Sequence, residues 1–374
     1  RWGLVSPTGE WRPQLITQRT SVGLDVHARS VVAAAIDEQT GEVLRRRFGY
    51  DPAEVVAWVR SLPQPAAVTY EAGPTGFALA RLFAVSGISC LVAAPSKLQR
   101  PSGDRVKTDA RDALHLARLL RLDEIVAVRV PTIEQETARD LVRTREDNRA
   151  ALMAARHRLS KLLLRHGILY DGKSAWTGAH DAWLRRHRFE HPGLQAAFDA
   201  DYETVQQIGA RKDRLDKLIE ELAETSQYAA TVRRLGCLRG VSTLTGFALA
   251  VEIGDWDRFT GSTIGAFLGL VPSEFSSGQS RVQGSITKTG NTHARRLLVE
   301  SAWHHRKPYR PGAVMQARWA QASGMAVARG DAGNHRLHHK WQQFTTRKKR
   351  PVIANVAVAR ELAGWCWSLA VMPD

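Results

Sequence analysis

Hydrophobic residues in the first third of the chain follow two spacings that alternate along the sequence. Five short runs have the alternating or fully apolar pattern of β-strands, at residues 21–27, 30–36, 42–50, 66–70 and 88–93. Three segments have helical spacing, at residues 51–60, 76–85 and 108–120. Asp51 is the expected N-cap of the first helix. Strands joined first by turns and then by helices predict an α/β domain with a mixed sheet.

The pattern changes to long helices from residue 133 onward. Residues 134–170 and 194–225 carry apolar stripes among many charged positions, with a short helical stretch between them. Long helices with a polar majority predict a helical hairpin or a coiled-coil arm. We therefore expect an α/β N-terminal domain, a helical coiled-coil middle and a mostly α C-terminal domain. The expected divisions are an irregular arm at residues 1–20 and domains at residues 21–130, 131–230 and 231–374.

An apolar helix-turn-helix pattern begins the C-terminal domain, LGCLRGVSTLTGFALAVEIGD from residue 235. With Gly240 and Gly246 in the turn, it is similar to the helix-hairpin-helix that grips a phosphate backbone through loop amides. An ordinary corner between two helices explains the same pattern, and both interpretations stay open here.

Residues 273–291 show no apolar periodicity, and we expect a loop there. Ser276, Ser277 and Gly278 lie in this segment together with several cations. Small residues allow a backbone to approach a ligand closely, and the cations indicate that this ligand is anionic. The candidate nucleic-acid-binding residues are Lys107, Ser276, Gly278, Arg281, Lys288, Asn291, Arg295 and Arg296.

Charge narrows the choice of partner. The net charge is +16, with a pI near 10.3, which favours a polyanion. Between Arg281 and Arg350 there are fifteen Lys and Arg against two acidic residues, with Trp303, Trp319 and Trp341 interspersed. Those indole rings are expected to stack on bases or to pack in a helical core. No apolar run is long enough to span a bilayer, so nucleic acid is the expected partner.

Four carboxylates in the α/β domain are candidate ligands for Mg²⁺. Asp25 lies within a strand, Glu71 ends another, and Asp109 and Asp112 are three residues apart on one helix. Carboxylate oxygens suit Mg²⁺, and two such ions can assist phosphoryl transfer. Taken singly, each has a structural explanation. Asp25 can serve in a turn, and Asp109 and Asp112 can be surface acids that interact favourably with the positive N-terminal end of the helix dipole.

Ser277 is a candidate nucleophile, provided that a metal activates its target. Alternatively, Ser276, Ser277 and Thr287 only donate hydrogen bonds to phosphates. The histidines near residues 304 and 335 lack the spacing of a zinc site, and the cysteines are far apart, which fits a reduced, cytoplasmic setting.

These residues together resemble a family. The strings VGLDVH, TYEAGPTG and KTDARDALHLARLL are similar to the DEDD, RuvC-like domain of a group of bacterial insertion-sequence transposases. The strings LRGVSTLTGFALAVEIGDWDRF, AFLGLVPSEFSSG and GSITKTGNTHARRLLVESAW resemble the separate transposase domain of that group. The serine motif here reads Ser-Gly-Gln where the family commonly has Ser-Gly-Gly. Members of the family are recombinases guided by a bridge RNA that pairs with target DNA and with the donor element.

The resemblance implies an RNase H/RuvC-like fold in which Asp25, Glu71, Asp109 and Asp112 bind Mg²⁺, with two ions expected. It implies that Ser277 is the nucleophile and forms a covalent phosphoserine link to DNA. It further implies double-stranded target and donor DNA as substrates, a bridge RNA, and a homodimer or homotetramer in which two protomers build each active site. The expected location is the bacterial cytoplasm, at the nucleoid.

Two other functions remain open at this point. In a metal-dependent RuvC-like nuclease or Holliday-junction resolvase, water attacks and Ser277 only binds phosphate. A non-enzymatic nucleic-acid-binding protein needs no metal and leaves the four acids unexplained.

Overall fold

The structure is a computed structural model that describes residues 18–49, 51–99, 108–278 and 280–373. The chain divides into two compact units, with the boundary between Thr132 and Ile133. Along the described residues, no helix combines the length and the apolar character needed to cross a bilayer. The finer division into an arm and three domains stays a prediction.

A mixed sheet forms the centre of the first unit. Its strands, within the described residues, are β1 (Thr20–Val26), β2 (Ser30–Asp37), β3 (Val43–Gly49), β4 (Ala66–Glu71) and β5 (Ser89–Ala93). The spatial order is β3-β2-β1-β4-β5. The first three strands pair antiparallel, whereas β4 pairs parallel with both β1 and β5. The predicted α/β domain with a mixed sheet is therefore confirmed.

Helices cover both faces of this sheet. They are α1 (Pro52–Ser61), α2 (Ala78–Val85) and α3 (Asp109–Arg121). The Asp51 carboxylate accepts from the Ala53 amide at 2.8 Å, so α1 begins at the predicted cap. Apolar residues of α1 and α2 share one buried cluster with Leu24 and Tyr70, whereas α3 packs with Val32 on the other face. The opposite sides of β1 therefore meet different helices.

Two long helices open the second unit. Its first elements are α4 (Ile133–Arg165), α5 (Gly178–Arg185) and α6 (Pro192–Thr225). Helices α4 and α6 pack against each other through buried residues such as Leu159 and Phe198. Arg145 of α4 donates to Asp216 of α6 at 2.6 Å. The predicted pair of long helices is present, and a coiled-coil supercoil stays a prediction.

The rest of this unit is mostly helical, as the sequence predicts. The helices are α7 (Ala229–Leu235), α8 (Thr243–Ile253), α9 (Ile264–Phe267), α10 (Thr292–Ala302), α11 (Ala313–Trp319), α12 (Gly324–Thr346) and α13 (Pro351–Ala370). They enclose a second core that includes Leu238, Leu298, Trp341 and Leu362. The buried position of Trp341 agrees with a core function for that indole ring.

The connection between α7 and α8 corrects one sequence interpretation. Gly246 was expected in the turn, but it lies inside α8 and contacts Val232. Gly240 does lie in the connection, with φ 84°, and a Cβ there would meet the Ser301 carbonyl at 2.6 Å. The Ser301 hydroxyl also donates to the Gly240 carbonyl at 2.9 Å. This turn packs against α10, which favours an ordinary corner between helices.

The expected loop at residues 273–291 is wrong for most of its length. The structure has a β-hairpin there, with β6 (Pro272–Ser277) paired antiparallel to β7 (Ser280–Ile286). Almost every side chain of the hairpin is exposed, including Phe275 and Val282. Because neither face is buried, no selection for alternating apolar residues marks the strands in the sequence.

Candidate functional site

Gly23 allows helix α3 to lie directly on strand β1. A Cβ at Gly23 would stand 2.0 Å from the Ala113 carbonyl oxygen and 2.5 Å from the Ala117 amide. Asp25 follows two residues later and therefore points to the same face of the sheet. Asp109 precedes Ala113 by four residues and lies on the same side of α3. The absence of a side chain at Gly23 thus brings the two carboxylates together.

A histidine lies close to both carboxylates. The Nε2 atom of His27 lies 3.3 Å from Oδ2 of Asp25 and 3.7 Å from Oδ1 of Asp109. One ligand atom from each of the three residues lies within 4.8 Å of the others. Burial raises the pKa of Asp25, and the negative charges of Asp109 and Asp112 raise it further, against the opposing effect of His27. A cation between these oxygens would therefore relieve repulsion.

Glu71 and Asp112 complete the predicted set. The last residue pair between the parallel strands β1 and β4 is Leu24 with Tyr70, so Asp25 and Glu71 are the next residues on each strand. Both carboxylates follow buried residues at the same edge of the sheet. Asp112 lies near enough to Asp25 to raise its pKa. Glu71 is exposed, and within residues 18–49, 51–99 and 108–132 no side-chain contact joins it to Asp25, His27 or Asp109.

The donor set fits a divalent metal. The oxygens of Asp25 and Asp109 are hard ligands of the kind that Mg²⁺ and Mn²⁺ prefer. His27 carries a nitrogen that suits other metals better, so we assign it a hydrogen-bonding function beside the carboxylates. Sequence reasoning missed His27. The signal that would have found it is the Asp-Val-His spacing at the end of β1, which places both side chains on one face.

The register of the hairpin separates Ser276 from Ser277. Ser276 pairs with Arg281 and Glu274 with Gln283, so these side chains share one face. On that face the Ser276 hydroxyl donates to Glu274 at 2.8 Å, and Arg281 donates to the same carboxylate at 3.1 Å. The Arg281 hydrogen bond lowers the pKa of Glu274. Ser276 is therefore engaged within the chain.

Ser277 lies on the opposite face of the hairpin. It pairs with Ser280, and its neighbours on that face are Phe275 and Val282, which are 75% and 58% exposed. Gly278 follows with φ 58°, a conformation that glycine adopts without strain. Among the described residues, the Ser277 hydroxyl has no hydrogen-bond partner. The turn therefore presents an exposed, free hydroxyl next to two exposed apolar side chains.

The predicted nucleic-acid-binding cations differ in their surroundings. Lys288 is exposed and adopts φ 56°. Arg295 donates to the carbonyls of Leu268 and Thr289 at 3.0 and 2.8 Å, and burial lowers its pKa. Lys107 lies outside the described residues. Arg295 therefore holds the base of the hairpin, whereas Lys288 remains open to a ligand.

Arg296 and Asn291 also make contacts within the second unit. Arg296 forms ion pairs with Glu146 at 2.5 Å and with Glu300 at 2.6 Å. The side-chain Oδ1 of Asn291 caps α10 by accepting from the Ala294 amide at 2.9 Å. The nucleic-acid contacts predicted for both side chains stay predictions.

A buried carboxylate anchors the base of the hairpin, and sequence reasoning did not identify it. Glu252 of α8 accepts from Arg143 at 2.9 and 2.8 Å, from Asn291 at 2.7 Å, and contacts His293 Nδ1 at 3.0 Å. Its side chain is 0% exposed. These hydrogen bonds lower its pKa to about 2 although burial opposes the shift. Glu252 thus ties α4 and α8 to the start of α10, immediately after the hairpin.

Backbone contacts fix the same base. The Thr287 amide donates to Val271 at 2.9 Å, and the Lys288 amide donates to Gly269 at 3.1 Å. A Cβ at Gly290 would stand 1.9 Å from the Phe267 carbonyl oxygen. The hairpin therefore projects from a rigid base toward its exposed turn.

Comparisons with known proteins match both units. Residues 22–168 match the model of the DEDD transposase domain of the IS110 group, and residues 232–320 match the model described as "Transposase IS116/IS110/IS902 family". A putative transposase, y4qE of Sinorhizobium fredii, is 38% identical over 357 residues, covering 93% of this chain and 88% of that protein. The transposase for insertion sequence element IS1533 of Leptospira borgpetersenii is 31% identical, covering 89% of this chain and 99% of that protein.

Proposed function

The chain belongs to the IS116/IS110/IS902 family of transposases, and on that premise we propose that it is a DNA recombinase with a serine nucleophile. In this proposal Ser277 attacks a DNA phosphodiester, and Asp25, Glu71, Asp109 and Asp112 hold divalent metal. The observation that carries the proposal is the Ser277 hydroxyl, which is exposed at the end of a rigidly based hairpin and has no hydrogen-bond partner in the described part of the chain. Its neighbour Ser276 is hydrogen-bonded to Glu274 at 2.8 Å, which favours Ser277.

The proposed step is a transesterification. The Ser277 oxygen attacks phosphorus and loses its proton, a new serine–phosphate bond forms, and the bond from phosphorus to one deoxyribose oxygen breaks. The departing sugar oxygen takes a proton. Because one phosphodiester replaces another, the reverse attack by a different sugar hydroxyl rejoins DNA without a nucleotide cofactor. This balance is what a transposase requires to cut and reseal strands.

The carboxylates supply the second part of the proposal. Bound Mg²⁺ would stabilise negative charge on the phosphate. Asp25 and Asp109 are candidates to hold it. His27 Nε2 donates to the Asp25 carboxylate at 3.3 Å and lies 3.7 Å from that of Asp109. Glu71 lies at the same edge of the sheet as Asp25, one residue beyond the last pair between β1 and β4.

The partners belong to the proposal as well. We include double-stranded target and donor DNA, a bridge RNA that selects them, and a homodimer or homotetramer. The net charge of +16 supports polyanionic partners, and the family resemblance supports the RNA. RNA that co-purifies with the protein, sequenced and tested for pairing with the ends of the element, decides whether a guide is used.

The nucleophile is tested with Ser277→Ala and, as a matched control, Ser276→Ala. Element-end DNA labelled on one strand is incubated with Mg²⁺ and run on a denaturing gel after protease treatment or without it. Wild type and Ser276→Ala are expected to give a protease-sensitive, slowly migrating DNA band, whereas Ser277→Ala gives none. Cleavage with no protein attached, in wild type and in Ser277→Ala alike, would instead establish the nuclease alternative with water as nucleophile.

Assembly is tested by mixing two inactive variants. If two protomers contribute to each reaction, Asp109→Ala and Ser277→Ala proteins restore the DNA adduct when combined. An inactive mixture would contradict shared sites without affecting the result for Ser277, which rests on the single variants.

A further inference from the structure

A groove of about 730 Å³ lies along the C-terminal part of the second unit. It runs between the segment that follows α10 and the final turns of α12. We call it the tail groove and define it by the residues Arg306, His338, His339, Trp341, Gln342 and Arg347. None of the residues used so far for the catalytic proposal lines it.

The tail groove carries uncompensated positive charge. Arg306 and Arg347 are exposed, and neither has an acidic partner in the part of the chain that the structure describes. Only two acids occur between residues 281 and 350, and both are engaged elsewhere. Glu300 pairs with Arg296 at 2.6 Å, and Asp331 accepts from the Tyr309 hydroxyl at 2.7 Å. Two guanidinium groups therefore remain available for an anionic ligand.

A partly exposed aromatic ring lies next to the tail groove, because Trp303 begins the short 3₁₀ helix (Trp303–Arg306) that ends at the groove residue Arg306. Trp341, at the floor of the tail groove, is 3% exposed and donates its Nε1 hydrogen to the Ala302 carbonyl at 3.2 Å. Trp303 packs on it with ring centroids 5.7 Å apart and planes tilted by 35°. Trp303 itself is 38% exposed. The buried indole thus packs against the exposed one, and part of the Trp303 ring remains accessible to a planar ligand.

We propose that the tail groove binds an unpaired strand of nucleic acid. Arg306 and Arg347 contact its phosphates, and a base stacks on Trp303, which lies next to the groove. An acidic polypeptide would satisfy the guanidinium groups but would leave the indole face unused, whereas a duplex keeps its bases stacked internally. The unpaired strand uses both features. The proposal does not depend on the chemistry assigned to Ser277.

Binding is measured by fluorescence anisotropy on the full chain in the Ser277→Ala background, with EDTA present so that no metal contributes. The probes are labelled oligothymidylate, oligouridylate, an abasic strand of equal length and a duplex. Arg306→Gln/Arg347→Gln is expected to reduce the slope of log K against log salt by about 1.4, since each phosphate contact on a single strand contributes about 0.7. The DNA and RNA probes show which sugar the groove prefers.

The stacking contact has its own variant. Trp303→Leu is expected to weaken binding of both oligonucleotides about 5- to 150-fold, the range for one stacked base. It should leave affinity for the abasic strand unchanged, because that strand offers phosphates without bases. Equal losses on the abasic strand and on the oligonucleotides would overturn the stacking contact.

The matched control removes the same charge outside the groove. Arg186→Gln/Arg233→Gln replaces two exposed arginines of the same unit that do not line the tail groove. It should reduce the salt slope less than the groove variant does. Equal reductions of the salt slope would mean that general surface charge, and not the tail groove, accounts for binding. In a separate competition experiment, stronger competition by polyglutamate than by oligothymidylate would overturn the proposal in favour of a protein ligand.

A second measurement keeps the proposal testable if the groove variant does not fold. Wild-type protein is photo-crosslinked to oligonucleotides that contain 4-thiothymidine or 4-thiouridine, and the linked peptides are identified by mass spectrometry. Crosslinks within residues 303–347 support the proposal. Crosslinks confined to other segments would overturn it.

Discussion

Replacing Glu252 by glutamine tests whether the buried carboxylate holds the base of the hairpin. The substitution keeps the size of the side chain but exchanges one oxygen for an NH₂ group. In the structure both oxygens accept, one of them from Asn291 at 2.7 Å, and Arg143 donates to both. With glutamine, the new NH₂ group would face a donor of Arg143, and Arg143 would lose the negative charge that it pairs with. The loss therefore combines an unpaired charge with broken hydrogen bonds.

The pKa of Glu252 gives the magnitude. It falls from 4.5 to about 2 in the folded chain. At about 1.4 kcal/mol for each pKa unit, this difference corresponds to about 3 kcal/mol of folding free energy at neutral pH. Breaking a buried ion pair typically costs about 3–5 kcal/mol, which is the same range. Because the folded pKa lies below the unfolded one, this stability is complete above 4.5 and is lost as the pH falls toward about 2.

Urea denaturation of wild type and Glu252→Gln measures the effect, through the transition of the unit that begins at Ile133. We expect the variant to be less stable by about 3 kcal/mol at neutral pH. The difference should shrink as the pH falls below 4.5. A difference under about 1 kcal/mol, as exposed ion pairs give, or one that stays constant in acid, would refute the reasoning.

Glu361→Gln is the matched control for Glu252→Gln. Glu361 also accepts from two cations, Arg336 at 2.8 Å and Lys340 at 3.0 Å, but its side chain is 23% exposed and it does not contact the hairpin. It should therefore lose less stability. If Glu252 also positions the serine hairpin, only Glu252→Gln slows formation of the DNA adduct under conditions where both proteins are folded. Equal rates for the two variants would confine Glu252 to a stabilising function.

The remaining predictions concern the first unit and the base of the hairpin. Gly23→Ala should push α3 away from β1, because its Cβ would stand 2.0 Å from the Ala113 oxygen. We expect Mn²⁺ to raise the melting temperature of wild type and Gly23→Ala to abolish this rise, whereas the control Gly49→Ala, whose Cβ would have nothing within 4 Å, should keep it. Asp25→Asn should also abolish this Mn²⁺-dependent rise while the protein stays folded, as judged by circular dichroism, and an unchanged rise would contradict the metal site. Gly290→Ala places a Cβ 1.9 Å from the Phe267 oxygen at φ 71°, so limited proteolysis should cut the hairpin faster than in wild type.

The sequence predicted the elements of the first unit because each is marked by local chemistry. Asp51 caps α1, and the apolar runs of the strands pack on helices, so periodicity and caps were visible without tertiary information. The metal candidates Asp25 and Asp109 were recognisable as carboxylates next to buried residues. The distance between these two carboxylates could not be predicted, because it depends on Gly23 allowing α3 to contact β1.

The second unit shows where local signals fail. The sequence predicts a loop where the structure has the hairpin, since exposed strands need no apolar alternation. It also predicts a turn at Gly246, which is buried in α8. Glu252 looks like a single acid at the end of an apolar helix. Only the folded chain shows that three side chains from two separate segments, α4 and the start of α10, converge on it.

By itself, the sequence determined which chemical groups this protein has and in which order its elements follow, because caps, periodicity and charge act over a few residues. The tertiary structure alone decided which of those groups meet. Pairing across the hairpin places Arg281 opposite Ser276, and both side chains donate to Glu274 on one face. Ser277 lies on the other face and has no hydrogen-bond partner among the described residues, although the two serines are adjacent in the chain. The physical reason is that hydrogen bonds and ion pairs form at about 3 Å, a distance that sequence separation does not encode.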